Sequence, residues 1–78
     1  MRRILLDENV PVGVRDQLPG FSVATVPEMG WAGLSNGELL AAAERAGFEV
    51  IVTGDQNIPY QNDLSGIGLA VVVLGTTH

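Results

Sequence analysis

The chain has no cysteine and no lysine. The first absence excludes disulfides, thiolate zinc sites and cysteine nucleophiles. The second excludes Schiff-base chemistry and the lysine of a Walker-type phosphate loop. Histidine occurs once, as His78 at the last position, a frayed place and a poor one for a catalytic base. Positive charge is also scarce: Arg2, Arg3, Arg15 and Arg45 stand against nine acids, for a net charge of −5. Phosphate neutralisation alone cannot drive nucleic-acid binding with that balance. Contact with RNA or DNA would need a bound divalent cation, often the largest local charge in a site, or a basic partner chain. Long apolar runs are missing as well. Ile4-Leu5-Leu6 stops at Asp7, far short of a signal peptide's apolar region, and the longest run, Leu69 to Leu74, has a strand's length and not a bilayer's. A cytoplasmic protein with no membrane partner is expected.

What is present is apolar. Of 78 residues, 46% are hydrophobic, which is one domain with a thin core, because short chains bury a smaller share of their surface. So rich a content in so short a chain implies that some apolar surface is left for a partner. Arg3 to Leu6 reads as a buried strand ending at Asp7. Asn9 is placed to cap a helix with Pro11 in its first turn and Val14 and Leu18 on one face, ended by Pro19-Gly20. Gly13 weakens that helix by roughly 1 kcal/mol relative to alanine. Phe21 to Val26 reads as a strand stopped by Pro27, and the segment 28–34 as a loop or single turn. Ser35-Asn36-Gly37-Glu38 fits a capping box opening a helix with Leu39, Leu40, Ala43 and Ala46 on one stripe and Gly47 as its stop. Phe48 to Thr53 is a second buried strand, Pro59 to Leu64 has room for one helical turn, and Leu69 to Leu74 is a strand too uniform to have one face in water. Strands alternating with helices predict an α/β fold with a small parallel sheet covered on both faces. With the first strand central, a switch point falls at the carboxyl ends of the first and third strands, where open α/β sheets bind ligands.

Asp7 and Asp55 each follow a buried strand, so neighbouring parallel strands bring both carboxylates to one edge. Like charges there repel unless a cation or a shared proton relieves them. Glu38 begins the returning helix, Glu8 follows Asp7, and Asn9, Asn36 and Asn57 add neutral oxygens. Such oxygens are what Mg²⁺ or Mn²⁺ prefers. Each residue has a plainer reading beside this one. Aspartate at a strand end is common in turns, Glu38 is the acid a capping box requires, and Trp31 and Tyr60 suit a core or rim as well as a stacking platform.

Taken together, RILLDENVP, VPEMGWAGLSNGELLAAAERAGFEVIVTGDQNI and AVVVL resemble the short PIN-like domain family, related to PIN ribonucleases, over nearly the whole chain. The pairing of Leu-Leu-Asp-Glu-Asn with Val-Thr-Gly-Asp is its most specific part. The resemblance implies a three-layer PIN-like fold over residues 1–78, with about four parallel strands flanked by helices and a truncated carboxyl end. It also implies metal-dependent nuclease ancestry, and for many relatives a toxin role beside a small antitoxin. On the family's pattern the acidic positions fall on Asp7, the Asn36–Glu38 segment, and Asp55 with Asn57, with Glu8 in support. Two departures matter. Asn36 and Asn57 stand where the family commonly has acids, which lowers the expected Mg²⁺ affinity. Relatives also continue past the last strand, so an uncovered sheet face here is expected to meet a second copy or another protein. The expected function is an Mg²⁺-dependent ribonuclease with Asp7, Glu38 and Asp55 as catalytic metal ligands; the alternative is a catalytically degenerate binding module. A phosphoacceptor receiver domain is disfavoured by the missing lysine.

Overall fold

In the computed structural model of the chain, residues 2–54 and 68–74 are described. Four strands, β1 (Arg3–Leu6), β2 (Ser22–Thr25), β3 (Val50–Thr53) and β4 (Ala70–Val73), form one wholly parallel sheet in the order β2-β1-β3-β4. A short 3₁₀ helix, Val12–Gln17, lies between β1 and β2, and α1 (Asn36–Arg45) connects β2 to β3. β1 is central, with β2 on one side and β3 on the other, as the apolar runs predict.

In β1 and β3 the continuous apolar runs reflect burial on two faces. Register aligns Leu5 with Ala24 and Ile51, and Ile51 with Val71, making one row across the sheet. On that row pack Leu39, Leu40 and Ala43 of α1, with Val26, Phe48 and Leu69. The opposite face carries Ile4, Leu6 and Val52 with Val10, against which Val14 of the 3₁₀ helix and Leu18 just after it pack. The sheet thus separates two small cores, and β1 contributes to both.

The helix α1 forms where its signals place it. Ser35 Oγ accepts from Glu38 N–H and Glu38 Oε1 accepts from Ser35 N–H, closing the reciprocal box. At the other end Gly47 turns with φ +89°, a conformation that a Cβ would strain. Replacing Ser35 by alanine is expected to lower stability by about 1 kcal/mol, read as a shift in the urea midpoint.

Two expectations are corrected. Asn9 caps no helix: the 3₁₀ segment starts from Pro11 without a side-chain cap, and Asn9 Oδ1 instead accepts from Gly54 N–H at 2.8 Å. Six residues that include Gly13 are too few to sustain an α-helix against a tertiary hydrogen bond to another strand. The last strand does have a face open to solvent, since Ala70 is exposed and Val72 is 43% exposed. Among the described residues β4 is an edge strand, paired only with β3. The segment 28–34 is the loop expected, and the turn after β2 that leads into it also closes a second reciprocal box. Thr25 Oγ1 accepts from Glu28 N–H and Glu28 Oε1 accepts from Thr25 N–H at 2.9 Å. Arg15 reaches the same Glu28 oxygen and donates to Val23 carbonyl at 3.3 Å. Side chains thereby occupy the outward carbonyl of Val23 and the outward N–H of Thr25, which blunts β2 as a template for another strand. The turn expected at 59–64 lies outside the described residues.

Both boxes carry a pH signature. Hydrogen bonds from Thr25 N–H and then Arg15 hold Glu28 below the ordinary glutamate value of 4.5, and those from Ser35 do the same for Glu38. A carboxyl group with a lowered folded pKa contributes stability that is fully present above 4.5 and is lost as pH falls through the folded value. The melting temperature of the chain is expected to drop as pH is lowered below 4.5, and a Glu28→Gln/Glu38→Gln variant to show a shallower drop. Identical profiles would remove both carboxylates from the acid sensitivity.

Candidate functional site

The β1–β3 ladder runs one residue beyond β1, because Asp7 N–H donates to Val52 carbonyl at 2.8 Å. Alternation then puts Asp7 on the same face as Leu5, and Thr53 on the same face as Ile51. These two side chains meet: Thr53 Oγ1 donates to Asp7 Oδ2 at 2.8 Å. Glu8 N–H donates to Asp7 Oδ1, also at 2.8 Å, and Val10 N–H closes the turn onto Asp7 carbonyl at 3.1 Å. Asp7 is only 9% exposed and Thr53 is fully buried.

No cation meets this buried carboxylate among the described residues. The ion pairs there are Arg2 with Glu49 and Arg15 with Glu28, while Arg3 donates to Ala46 carbonyl and lies over the Phe48 ring, 4.3 Å from its centroid. Burying a carboxylate against neutral donors alone is costly. A carboxylate also offers about four lone-pair sites, of which two are engaged here. The remaining capacity, on hard oxygens, suits a divalent cation such as Mg²⁺. As one ligand, Asp7 fits.

The other predicted residues divide. α1 covers the face that bears Asp7, and its first turn lies at the carboxyl end of the strands, because the chain leaves β2 at Thr25 and re-enters the sheet at Val50. Glu38 is therefore at the same end of the molecule as Asp7, exposed, with Oε1 turned back onto Ser35 N–H at 3.1 Å. Glu8 is exposed beside Asp7, and Asn36 is half-buried at the start of α1. Among the described residues no three acidic side chains gather into a group able to hold a metal, so Asp7, Glu8 and Glu38 do not form such a group by themselves. Asp55 and Asn57 lie outside the described residues, as does Tyr60. Trp31 is accounted for by packing: it is half-buried and meets Phe48 edge-on, with centroids 6.0 Å apart at 77°.

Two residues at this edge were not singled out by sequence reasoning for the part they play. Thr53 orients the Asp7 carboxylate; its signal was parity, since it stands two positions after Ile51 as Asp7 does after Leu5. Asn9 commits its amide oxygen to Gly54, so it does not serve mainly as a free oxygen donor. Replacing Thr53 by valine keeps the shape and removes the hydroxyl. The expected cost is about 1–3 kcal/mol in metal-free buffer, from leaving a buried carboxylate oxygen short of a donor, read by chemical denaturation. With this geometry in place, no protein-family model, no curated protein and no solved structure matches the chain.

Proposed function

We propose that the chain is an Mg²⁺- or Mn²⁺-dependent ribonuclease of the PIN-like type, with the three-layer fold of that family, acting as the toxin of a toxin–antitoxin pair. The observation that carries this reading is Asp7: a nine-tenths buried carboxylate that meets no cation among the described residues, at the switch point between β1 and β3. Asp7, Glu38 and Asp55 would hold the cation, with Asn57 and Glu8 in support. The chemistry such a cation would supply is activation of water and relief of charge at the phosphodiester. The chain's own part is to fix the donors: Thr53 and Glu8 N–H orient Asp7, and the Ser35 box fixes where Glu38 starts the helix. RNA cleavage that needs Mg²⁺ and is lost in Asp7→Asn supports the reading. Equal cleavage by both proteins would identify a contaminant and remove it.

A second reading, a degenerate PIN-like binding module, is favoured by the engagement of Glu38 in its own capping box and by Asn36 and Asn57 at positions where the family has acids. The exposed Val72 suits a protein partner, a cognate antitoxin or a second copy in a homo-oligomer. Calorimetric titration with Mg²⁺ and Mn²⁺ separates the readings: no heat at millimolar metal selects the binding module.

A further inference from the structure

Resting on the metal-site reading above, we infer that Asn9 is a positioning residue, which with Gly54 latches the carboxyl end of β1 to that of β3 and so holds the Asp7 carboxylate where a divalent cation would meet it. Two cross-strand bonds lie next to each other in sequence at this edge. Thr53 hydroxyl donates to Asp7 Oδ2, and Gly54 N–H donates to Asn9 Oδ1, each at 2.8 Å. The first orients the carboxylate directly. The second fixes the turn from which that carboxylate takes its other donor, Glu8 N–H.

The latch is steric as well as polar. A Cβ at Gly54 would stand 3.3 Å from Asn9 Cγ and 3.3 Å from Asn9 Oδ1, and 3.5 Å from the Asn9 carbonyl oxygen. The two side-chain contacts are tight, so a Cβ at position 54 would push the Asn9 amide aside by a few tenths of an ångström, while the contact to the Asn9 carbonyl is ordinary van der Waals distance. Asn9 is itself exposed, so no burial of its side chain explains its place; the hydrogen bond to β3 does. Val10, 7% exposed, pins the far end of the same turn in the second core. The turn is thus held by packing at Val10 and by the hydrogen bond of its neighbour Asn9. Aspartate at position 9 would keep an acceptor for Gly54, whereas alanine has none.

The test uses the full chain and Mn²⁺ as the probe, with Asn9→Ala, Gly54→Ala and the double variant. Mn²⁺ affinity is measured by calorimetry and exchange of the Gly54 amide by nuclear magnetic resonance, with melting temperature as the check on folding. Asn9→Ala is expected to weaken Mn²⁺ binding about 10-fold, the loss typical of a residue supporting a metal ligand, and to speed exchange at Gly54. The double variant should bind no more weakly than Gly54→Ala, because removing the Asn9 amide also removes the clash. Unchanged affinity in Asn9→Ala, or losses that simply add in the double variant, would overturn the assignment. If Gly54→Ala does not fold, Asn9→Ala decides alone, and Asn9→Asp should restore slow exchange at Gly54. Absence of Mn²⁺ binding by the unaltered chain would sink the metal reading itself; fast Gly54 exchange only in Asn9→Ala would then leave Asn9 with a purely architectural role and overturn its place at the site.

Discussion

Asp7→Asn is expected to reduce metal-dependent RNA cleavage by about 100-fold or more, given that even residues supporting a metal ligand cost 10- to 100-fold, while the metal-free protein melts at or above the temperature of the unaltered chain. The two halves of this outcome have one cause. Asparagine has the shape of aspartate, and the surroundings of Asp7 can accept it: its oxygen can take Glu8 N–H, and its amide can donate to a rotated Thr53 hydroxyl. What disappears is a buried negative charge that no arginine balances. Removing such a charge relieves the fold and disables the site, the trade expected where function retains a destabilising group. Added Mg²⁺ should separate the proteins further. Binding to the native state alone stabilises by about 1.4 kcal/mol at ten times the dissociation constant, and only the unaltered chain should gain it. Activity, melting temperature without metal and melting temperature with metal therefore form one experiment. A variant that melts well below its parent without metal would show that Asp7 is there to hold the fold.

Leu5→Ala is expected to cost about 3 kcal/mol. Leu5 is fully buried on the central strand, between Ala24 and Ile51 and among the α1 side chains. Surroundings packed on both flanks cannot close over the missing methyl groups, so the transfer loss is joined by a cavity. At roughly 0.05–0.15 kcal/mol per residue a chain of this size has only about 4–12 kcal/mol in total, and the melting temperature should fall by about 12–24 °C. Val72→Ala provides the contrast. It shortens an apolar side chain that is already 43% exposed on an edge strand, and should cost below about 1 kcal/mol. Equal losses for the two would mean that the helix-side core does not carry the domain.

Much of the scaffold was legible because it is written in local patterns. Ile4-Leu5-Leu6 and Val50-Ile51-Val52 are short apolar runs with abrupt polar stops, and a run of that kind has few alternatives to a strand buried on both faces. Ser35 and Glu38 announced α1 at its first turn, and Gly47 its end. From strand order alone Asp7 could be put at the right edge. Harder to read were residues whose partner is distant in sequence. An asparagine after a strand can cap the next helix or reach across to another strand, and nothing near Asn9 distinguishes these; Gly54 does. Thr25 and Glu28 carry the same signature as Ser35 and Glu38, yet Pro27 and Gly30 follow without an apolar stripe, so the box closes a turn and starts no helix. The last strand was misjudged on one face because composition reports how apolar a segment is and not whether another element packs on it.

The central position of β1 has a consequence for the order in which the molecule is made. β1 is paired on both edges, by β2 and β3, and it is translated before either; β3 follows only after α1. Until then one side of β1 is bare. Thr53, which aims the Asp7 carboxylate, lies 46 positions downstream of it. A nascent chain or proteolytic fragment that stops short of β3 keeps only the local Glu8 N–H bond to that carboxylate and lacks both the Thr53 hydroxyl and the Val52 carbonyl that takes Asp7 N–H, so the geometry around Asp7 is complete only when synthesis has passed the third strand.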